Sequence, residues 1–399
     1  MTPSQALWTT QAVYKADALL VCAAAFYLFY YLILKKRSLV SSACEGSFFL
    51  SLVIVCGTLV RLMIAREGYG NYDNRSWEIA GEIALRGGNI YQESQRYTSS
   101  PIWFWLIGLL KKAQTFFPAL GLGFFVRAFL TGIDLLTLGV LLALADRQRI
   151  SRAATAVFFY LNPVSFLLTG YHGQFENLAL FFLLVGLWGY FYFEKRTVLK
   201  TAWLWVFSSA GLITKHIIFY ETLAALRFSV KKTWVQAVLF LLSCAAFFAV
   251  FLPYWKEGGE AIIRNVFLYS SYPMDYGIST FFRTTWLKYL FIAGLFVYPL
   301  LLTSKDLVKR LLLCALFFLV FTTGFGNQYL VLPIALGALR PSKGFLIYTF
   351  AATLYLLGDQ TNIYVRAFSW VPLNLVWVAA VHWWATEHWT TKDGFRVAA

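Results

Sequence analysis

Long apolar runs separated by short polar intervals dominate the sequence. Three of these runs cover about 47–65, 122–145 and 153–169, and a helix needs roughly 20 mostly apolar residues to cross a bilayer. The remaining runs lie at about 17–34, 176–193, 201–213, 216–226, 234–252, 289–303, 311–323, 328–339, 344–358 and 370–386. This pattern predicts an all-α, polytopic membrane protein with about 13 transmembrane helices, in a range of about 11 to 13.

The composition agrees with a membrane protein. Hydrophobic residues make up 59% of the 399 residues and charged residues 13%, against roughly 25% charged residues in soluble domains. The apolar runs leave little chain for a separate soluble domain, so residues 1–399 are predicted to form a single integral membrane domain.

The net charge of +15 would favour a nucleic-acid partner in a soluble protein. Here, however, the basic residues lie in short clusters between apolar runs, such as Lys35-Lys36-Arg37 and Lys195/Arg196/Lys200. Clusters of this kind are typical of cytoplasmic loops. The expected surroundings are therefore membrane lipid and not nucleic acid. The compactness of the chain favours the cytoplasmic (inner) membrane, with the endoplasmic reticulum membrane as the alternative.

With the basic clusters in the cytoplasm, the unusual polar segments fall on the opposite, external face. Two external loops result, at 66–121 and 253–288. The first loop should contain a short surface helix over Ser76–Leu85, which Gly87-Gly88 would end as a glycine cap. A second short helix, at about 101–116, should lie on the membrane surface.

Asp73 is the strongest candidate for a catalytic residue because it follows an apolar run at the membrane surface. A carboxylate in that place can take a proton from a sugar hydroxyl as the hydroxyl oxygen attacks. The alternative is structural: Asp73 would then cap a helix that begins at Asn74. Glu78 and Glu82, farther along the same segment, are predicted to lie on its solvated face.

His172 and Glu176 lie on the same predicted face of the membrane as Asp73. They are four residues apart, so on a helix they would share one side. They could form hydrogen bonds with sugar hydroxyls or, together with Asp73, hold a divalent metal ion. The structural alternative is a polar loop that enters a helix. No metal and no other cofactor is required by the main hypothesis.

Lys215 and His216 separate two short apolar runs, and a buried cation at membrane depth needs a partner. A lipid phosphate would supply the opposite charge, and so would the carboxylate of Glu221. Arg264 and Arg283 of the second external loop are further candidates for binding a phosphate, unless they are simply solvated.

Two other pairs of polar residues interrupt apolar runs. Arg127 and Asp134 are seven residues apart on one run, and we expect them to form a structural pair inside the helix bundle. Asn327 and Gln328 precede another run and offer neutral amide groups that could bind phosphate or sugar oxygens.

Several of these motifs resemble those of GT-C-type glycosyltransferases, polytopic enzymes that use polyprenyl-phosphate sugars. The first external loop carries an aspartate after an early span, then Gly87-x-x-x-Tyr91 and Tyr97-x-x-x-Pro101-Ile102. The block Asn162-Pro163 followed by His172-Gly173-Gln174-Phe175 is similar to one in dolichol-pathway glucosyltransferases. Asn327-Gln328-Tyr329 with Pro333 is similar to an element of prokaryotic relatives and GPI-type mannosyltransferases.

The resemblance implies an inverting transfer of a hexose, with mannose as the expected sugar, to a glycan or lipid-linked acceptor on the external, periplasmic face. Asp73 matches the general base. The positions that match substrate-binding residues are Tyr97, His172, Gln174, Glu176, Lys215, His216, Asn327 and Gln328. Two departures are an extra N-terminal span and Asn74, which stands where some relatives carry a second acidic residue.

A lipid or solute transporter is the alternative class, because the same polar residues could line a path for a substrate. A transporter should expose polar residues to both leaflets, whereas this sequence gathers them on the external side. An enzyme with a diphosphate donor, similar to an O-antigen ligase, would be expected to place more arginine near the phosphate.

Overall fold

The computed structural model describes Tyr27 and residues 47–68, 70, 72–95, 97–268, 276–282, 284, 286–361 and 370–389. Within these ranges the chain is helical and contains no β-strand, which confirms the all-α prediction for this part of the protein. The longer helices are α1 (Ser47–Glu67), α2 (Tyr72–Leu85), α3 (Pro101–Thr115), α4 (Leu122–Gln148), α5 (Arg152–Tyr160), α6 (Glu176–Tyr192), α7 (Thr197–Thr214), α8 (Phe219–Ser229), α9 (Thr233–Ala249), α10 (Leu252–Ile262), α11 (Trp286–Leu301), α12 (Leu307–Phe321), α13 (Ile334–Leu339), α14 (Lys343–Thr361) and α15 (Trp370–Trp389).

Short helical turns connect several of these helices. Two are π-helical and two are 3₁₀-helical, and they interrupt the chain at points where polar residues occur. The short elements are Ile90–Glu93, Pro163–Ser165 and Ile278–Phe281, the π-helical turns Phe166–Tyr171 and Ile263–Phe267, and the 3₁₀ turns His216–Ile218 and Asn327–Val331.

Three helical segments of the described chain are long and apolar enough to cross a membrane: Ser47–Glu67, Leu122–Gln148 and Arg152–Tyr171. The segments Thr233–Ala249 and Leu252–Phe267 meet at an angle of 87° and together form a fourth, broken candidate. Shorter apolar helices follow at Glu176–Tyr192, Trp286–Leu301, Asn327–Leu339 and Lys343–Leu357. The predicted run at 17–34 lies outside the described residues, except for Tyr27.

Helix α1 shows how such a segment distributes its apolar side chains. A stripe of large apolar residues at helical spacing is exposed, from Phe48, which is 80% exposed, to Met63, which is 65% exposed. The opposite side, which includes Val53 and Ala65, is buried against the rest of the protein. A helix that is apolar on both its exposed and its buried side is typical of a lipid-facing position.

The segment predicted to be the first external loop, 66–121, contains two packed helices, α2 and α3. Helix α2 begins at Tyr72 and not at Ser76 as predicted, so Asp73 lies in its first turn. A carboxylate is favourable there because the helix N-terminus carries partial positive charge. The predicted glycine cap is confirmed: Gly87 has a φ of +72°, and the Gly88 N–H donates to the carbonyl of Ile83.

The segment predicted to be the second external loop, 253–288, is more helical in its described part than the sequence indicated. The segment predicted to be a loop from Pro253 onward begins instead with helix α10. Pro253 lies in the first turn of α10, where its missing N–H and fixed φ are tolerated. Helix α10 packs on Ile90–Glu93, and Asn89 donates to the carbonyl of Tyr254, so the two predicted loop segments are in contact.

A buried polar cluster, named here the Arg61 cluster, joins α1, α4, α5, the short element Pro163–Ser165 and α6. The Arg61 Nε lies 3.3 Å from Asp134 Oδ2, and both side chains are fully buried. Arg61 also donates to the Tyr160 carbonyl at 2.6 Å and to Ser165 Oγ at 3.0 Å. Asp134 accepts from Ser165 Oγ and from Asn177 Nδ2. Every charged atom thus has a partner, as a buried ion pair requires.

This cluster corrects the predicted pairing of Arg127 with Asp134. The two residues lie seven positions apart on α4, but the partner of Asp134 is Arg61, on α1. The carboxylate is buried among neighbouring helices, and the contact that neutralises it comes from a segment distant in sequence.

Candidate functional site

Asp73 is held in place from outside its own helix. Its Oδ2 accepts a hydrogen bond of 2.5 Å from Nε2 of Gln174, which lies 101 positions away in the chain. Gln174 is only 6% exposed. Because the amide is a neutral donor, it can orient the carboxylate without adding a second charge to the site. The two residues that the sequence placed on the same face of the membrane therefore touch.

Gln174 lies in a short loop that follows the π-helical turn Phe166–Tyr171. The Gln174 N–H donates to the carbonyl of Leu168 at 3.0 Å, so the loop folds back on the turn that precedes it. π-helical turns are uncommon and occur frequently at functional sites. Here the turn carries the chain from the helix bundle to the side chain that meets Asp73.

Gly173 gives this loop a conformation that other residues adopt with difficulty. Its φ is +67°, in the left-handed region. A Cβ at this position would lie 3.3 Å from Oδ1 of Asn74 and 3.4 Å from Cγ of Arg127. The His172–Phe175 loop can therefore approach α2 and α4 closely because residue 173 has no side chain.

Glu176 and Lys215 form the second contact of the site. Glu176 is the first residue of α6, and Lys215 lies at the break between α7 and the 3₁₀ turn that follows it. Lys215 Nζ lies 3.0 Å from Glu176 Oε1, with the carboxylate side chain fully buried and the lysine side chain 12% exposed. Within the described chain, neither carboxylate oxygen of Glu176 accepts a hydrogen bond.

An aromatic stack supports the lysine. Lys215 Nζ lies 4.3 Å from the centre of the Phe175 ring, and Phe175 in turn stacks on Trp103 of α3 at 4.3 Å. A cation over an aromatic ring is stabilised by the ring quadrupole. Asp73, Gln174, Glu176 and Lys215 are referred to below as the Asp73–Lys215 cluster.

The buried lysine was expected to pair with a phosphate or with Glu221, and the carboxylate it contacts is Glu176. Glu221 is fully buried on α8, and neither of its oxygens accepts a hydrogen bond from a described residue. The sequence order misled here because Glu221 is close to Lys215 along the chain, whereas Glu176 reaches it through the packing of α6 on α7.

His172 and Glu176 do not share one side of a helix, as their spacing had indicated. Helix α6 begins only at Glu176, and His172 belongs to the loop before it. His172 is 1% exposed, and burial lowers its pKa to about 4, so the imidazole is neutral at pH 7. Among the described residues there is no group of three or more His, Cys, Asp and Glu side chains able to hold a metal ion.

His216 follows Lys215 in the 3₁₀ turn that separates α7 from α8. Its ring lies 6.0 Å from that of Phe247, and its Nδ1 forms no hydrogen bond with any part of the chain that the structure describes. His216 is the next residue in the chain after Lys215, so it lies beside the Asp73–Lys215 cluster.

Asn327 and Gln328 lie in the 3₁₀ turn Asn327–Val331, which packs against the π-helical turn and α6. The structure thus brings this predicted element to the same region as the His172–Phe175 loop. Asn327 Oδ1 accepts a hydrogen bond of 2.7 Å from the hydroxyl of Tyr355, which fixes the orientation of the amide. Gln328 folds back over Gly326, where a Cβ would lie 2.7 Å from its amide atoms.

The other predicted binding residues lie elsewhere. Tyr97 is 2% exposed, and its hydroxyl donates to the Ser100 carbonyl at 2.7 Å within its own loop. Arg264 lies in the π-helical turn Ile263–Phe267 with an exposed side chain, and its Nε donates to Asn265. Arg283 lies outside the described residues.

Arg127 adjoins the site, although the sequence indicated only a structural pair with Asp134. Its side chain is 4% exposed and donates to backbone carbonyls of Gly68, Gly123 and Tyr171. An arginine in an apolar run indicates a buried cation. The pattern of the sequence does not indicate which backbone carbonyls accept its hydrogen bonds.

No protein-family model matches the chain, and no curated protein matches it significantly. The function therefore has to be inferred from the chemistry of the site.

Proposed function

We propose that the protein is a polytopic, GT-C-type membrane glycosyltransferase with about 13 spans. It transfers a hexose, with mannose as the expected sugar, from a polyprenyl-phosphate donor to a glycan or lipid-linked acceptor on the external face of the cytoplasmic membrane. The observation that carries the proposal is the contact between Asp73 and Gln174 beside the Glu176–Lys215 pair. The Asp73 carboxylate and the Lys215 ammonium group thus contact Gln174 and Glu176, which are two positions apart in the chain.

In this reaction Asp73 is the general base. The acceptor hydroxyl oxygen attacks the anomeric carbon of the sugar, and the bond from that carbon to the phosphate oxygen breaks. The electron pair of that bond leaves with the phosphate, and the hydroxyl proton passes to Asp73. Attack opposite the leaving group inverts the anomeric configuration. The hydrogen bond from Gln174 supports this role because it fixes one carboxylate oxygen.

Lys215 is the residue proposed to stabilise the charge that develops on the leaving phosphate. Its ammonium group is held by Glu176 and by the Phe175 ring, so its position is set before the donor binds. A preorganised cation of this kind stabilises a developing anion without a large reorganisation cost. The Asn327–Val331 turn and His172 pack on the same region and are proposed to contact the sugar or the phosphate.

The test is transfer by the purified protein from a short-chain polyprenyl-phosphate mannose in nanodiscs, followed by mass spectrometry. Asp73→Asn should lower the transfer rate by at least about 100-fold, because a general base contributes at least that much. Donor binding should persist. Asp146→Asn, which changes an exposed aspartate at the far end of α4, is the matched control. Transfer by Asp73→Asn at the wild-type rate would exclude Asp73 as the base.

Transport of the lipid is the second candidate function, and the two broken helical pairs favour it. One break lies at Lys215 and the other is the 87° bend after α9. Interrupted helices commonly form substrate sites in transporters. A transporter would move the labelled donor between leaflets of a vesicle without cleaving its sugar–phosphate bond. Intact donor on the opposite leaflet, with no cleaved product, would therefore show that the protein is a transporter and not an enzyme.

A further inference from the structure

Arg127 occupies a position between the two chain segments that lead to Asp73 and Gln174. The Nη1 atom donates to the Gly68 carbonyl at 2.8 Å and to the Tyr171 carbonyl at 3.3 Å. The Nε atom donates to the Gly123 carbonyl of its own helix at 2.8 Å. One guanidinium thus holds the backbone before α2 and the last residue of the π-helical turn against α4.

The three carbonyls matter because of where their segments go next. The chain from Gly68 leads into the first turn of α2 and to Asp73, and the chain from Tyr171 leads to Gln174. The hydrogen bond between Gln174 and Asp73 joins the same two segments at a second point. Two described contacts therefore join the two segments, one at Arg127 and one at the Asp73–Gln174 hydrogen bond.

Glycines allow the backbone to come this close to the arginine. A Cβ added at Gly68 would lie 3.2 Å from Arg127 Nη1, and one at Gly123 would lie 3.2 Å from Nη2. A Cβ at Gly173 would lie 3.4 Å from Arg127 Cγ. Distances this short are tighter than ordinary packing contacts, so the backbone of three separate segments encloses the side chain.

The charge of Arg127 is not what determines its partners. Among the described residues, no carboxylate lies within ion-pair distance of its guanidinium, whereas Arg61 on α1 contacts Asp134. Arg127 uses its planar fork to donate along several directions at once. Lysine cannot reproduce that geometry because its donors radiate from a single nitrogen atom.

From these contacts we infer that Arg127 is a positioning residue, which keeps the Asp73 segment and the Gln174 loop in register so that the Asp73–Gln174 hydrogen bond can form. The expected effect of Arg127 on catalysis rests on the proposed function. The connection between the two segments does not depend on that function and can be measured separately.

Amide hydrogen exchange measures the connection directly, because three hydrogen-bonded amides report on the two segments. The Gly68 N–H donates to Ile64, the His172 N–H to Leu167 and the Gln174 N–H to Leu168. In nanodiscs, Arg127→Met and Arg127→Lys should each raise exchange in peptides covering 68–75 and 171–176 by about tenfold or more, the effect of losing charge-assisted hydrogen bonds. Peptides from α12 and α14 should keep wild-type exchange.

The matched control is Arg147→Lys, because Arg147 lies on the same helix and is exposed at its far end. This control should leave exchange unchanged in every peptide. Faster exchange throughout Arg127→Lys would indicate a general loss of stability, and wild-type exchange in both segments would show that the arginine does not hold them. Either result would overturn the inference. If Arg127→Met does not accumulate, the lysine variant alone decides between these outcomes.

The kinetic measurement separates positioning from binding. In the transfer assay, Arg127→Lys should lower kcat by about tenfold or more while the KM for the donor stays within about twofold, because misplacing a catalytic group costs rate more than affinity. A higher donor KM with unchanged kcat would instead assign Arg127 to donor binding and overturn the inference. If the wild type transfers no sugar but the exchange results are as expected, the proposed function fails and the connection between the segments stands.

Discussion

Two buried ion pairs lie close together in this protein, and they differ in how fully their atoms are hydrogen-bonded. In the Arg61 cluster, Asp134 accepts from Ser165 and Asn177 in addition to its contact with Arg61. In the Asp73–Lys215 cluster, Glu176 contacts Lys215 at 3.0 Å but accepts no hydrogen bond from any other described residue. Both carboxylate side chains are fully buried.

The difference separates a fully hydrogen-bonded pair from one whose carboxylate has only Lys215 as its described partner. Buried polar groups in native proteins nearly always have hydrogen-bond partners, so an exception needs an explanation. The Arg61 guanidinium also lies over two aromatic rings, 4.2 Å from the centre of Tyr160 and 4.3 Å from that of Phe166. Lys215 lies over the Phe175 ring, and its side chain is 12% exposed. Under the proposed function, a ligand would complete the second cluster but not the first.

The largest expected effect follows from breaking the Arg61 cluster. Arg61→Met should destabilise the protein by about 3–5 kcal/mol, because it leaves the buried charge of Asp134 without its ion-pair partner. The free energy of unfolding, measured by denaturant titration in mixed micelles, tests this expectation.

Arg152→Met provides the control, since Arg152 pairs with Asp146 at 3.2 Å but both side chains are about half exposed. It should cost less than about 1 kcal/mol. If Arg61→Met were as stable as the wild type but had lost transfer, the Arg61 cluster would belong to the site and the comparison would fail.

The next effect should appear in ligand binding and not in stability. The double variant Lys215→Met/Glu176→Gln removes both charges of the pair, so neither is left unpaired. We expect stability within about 1 kcal/mol of the wild type, because replacing both partners of a buried pair is often nearly neutral. Affinity for a polyprenyl phosphate should fall about 10- to 100-fold, the effect of losing one hydrogen bond to a charged group.

Microscale thermophoresis with the protein in nanodiscs would measure this affinity. The reference is the corresponding double variant Arg61→Met/Asp134→Asn, which should lose stability because the Tyr160 carbonyl and Ser165 lose their donor. Unchanged lipid affinity in the Lys215/Glu176 variant would remove Lys215 from the proposed phosphate site.

The two clusters also show which parts of the structure could be predicted from the sequence. The apolar runs predicted the helices well: the run at 122–145 became Leu122–Gln148, and that at 47–65 became Ser47–Glu67. Hydropathy and glycine positions are local properties, and local pattern carries this information. The polar residues predicted to lie on one face included Asp73 and Gln174, and these two are in contact.

Pairings between distant segments could not be predicted in this way. Arg61 and Asp134 are 73 positions apart, and the sequence offered Arg127 as the nearer partner. Likewise Glu221 was the nearer candidate for Lys215, while packing selected Glu176. Which charges meet depends on how helices pack against each other, and that is not encoded in the spacing of residues along any single helix.

The buried imidazole of His172 provides a pH-dependent test of whether the His172–Phe175 loop is closed to water. Burial lowers its pKa to about 4, whereas the imidazole of an unfolded chain takes up a proton near pH 6.5. The unfolded state therefore binds more protons between these values, so the folded state loses stability as the pH falls from about 6.5 to 4. At pH 5 the loss should be about 2 kcal/mol relative to pH 7.

His172→Gln should abolish this contribution, so the difference in unfolding free energy between variant and wild type should shift by about 2 kcal/mol between pH 7 and pH 5. His388→Gln, at an exposed position near the end of α15, is the control. Parallel pH dependence of the wild type and His172→Gln would show that the loop admits water to this imidazole, in conflict with a closed loop beside Glu176.

The smallest effect extends the comparison to an ion pair near solvent. Lys111 of α3 contacts Glu78 at 3.0 Å and Glu82 at 2.7 Å, and these glutamate side chains are 32% and 59% exposed. Burial opposes the charge on Lys111, but the carboxylates of Glu82 and Glu78 outweigh it and raise the lysine pKa. Lys111→Met should cost less than about 1 kcal/mol, and the cost should shrink in high salt, since exposed pairs are weak and screened. Donor affinity and transfer should be unchanged, because the contact joins α2 to α3 through Glu78 and Glu82 and not through Asp73. A loss of transfer with intact stability would mean that the α2–α3 contact sets the position of Asp73, and that the site extends beyond the Asp73–Lys215 cluster into the surface helices.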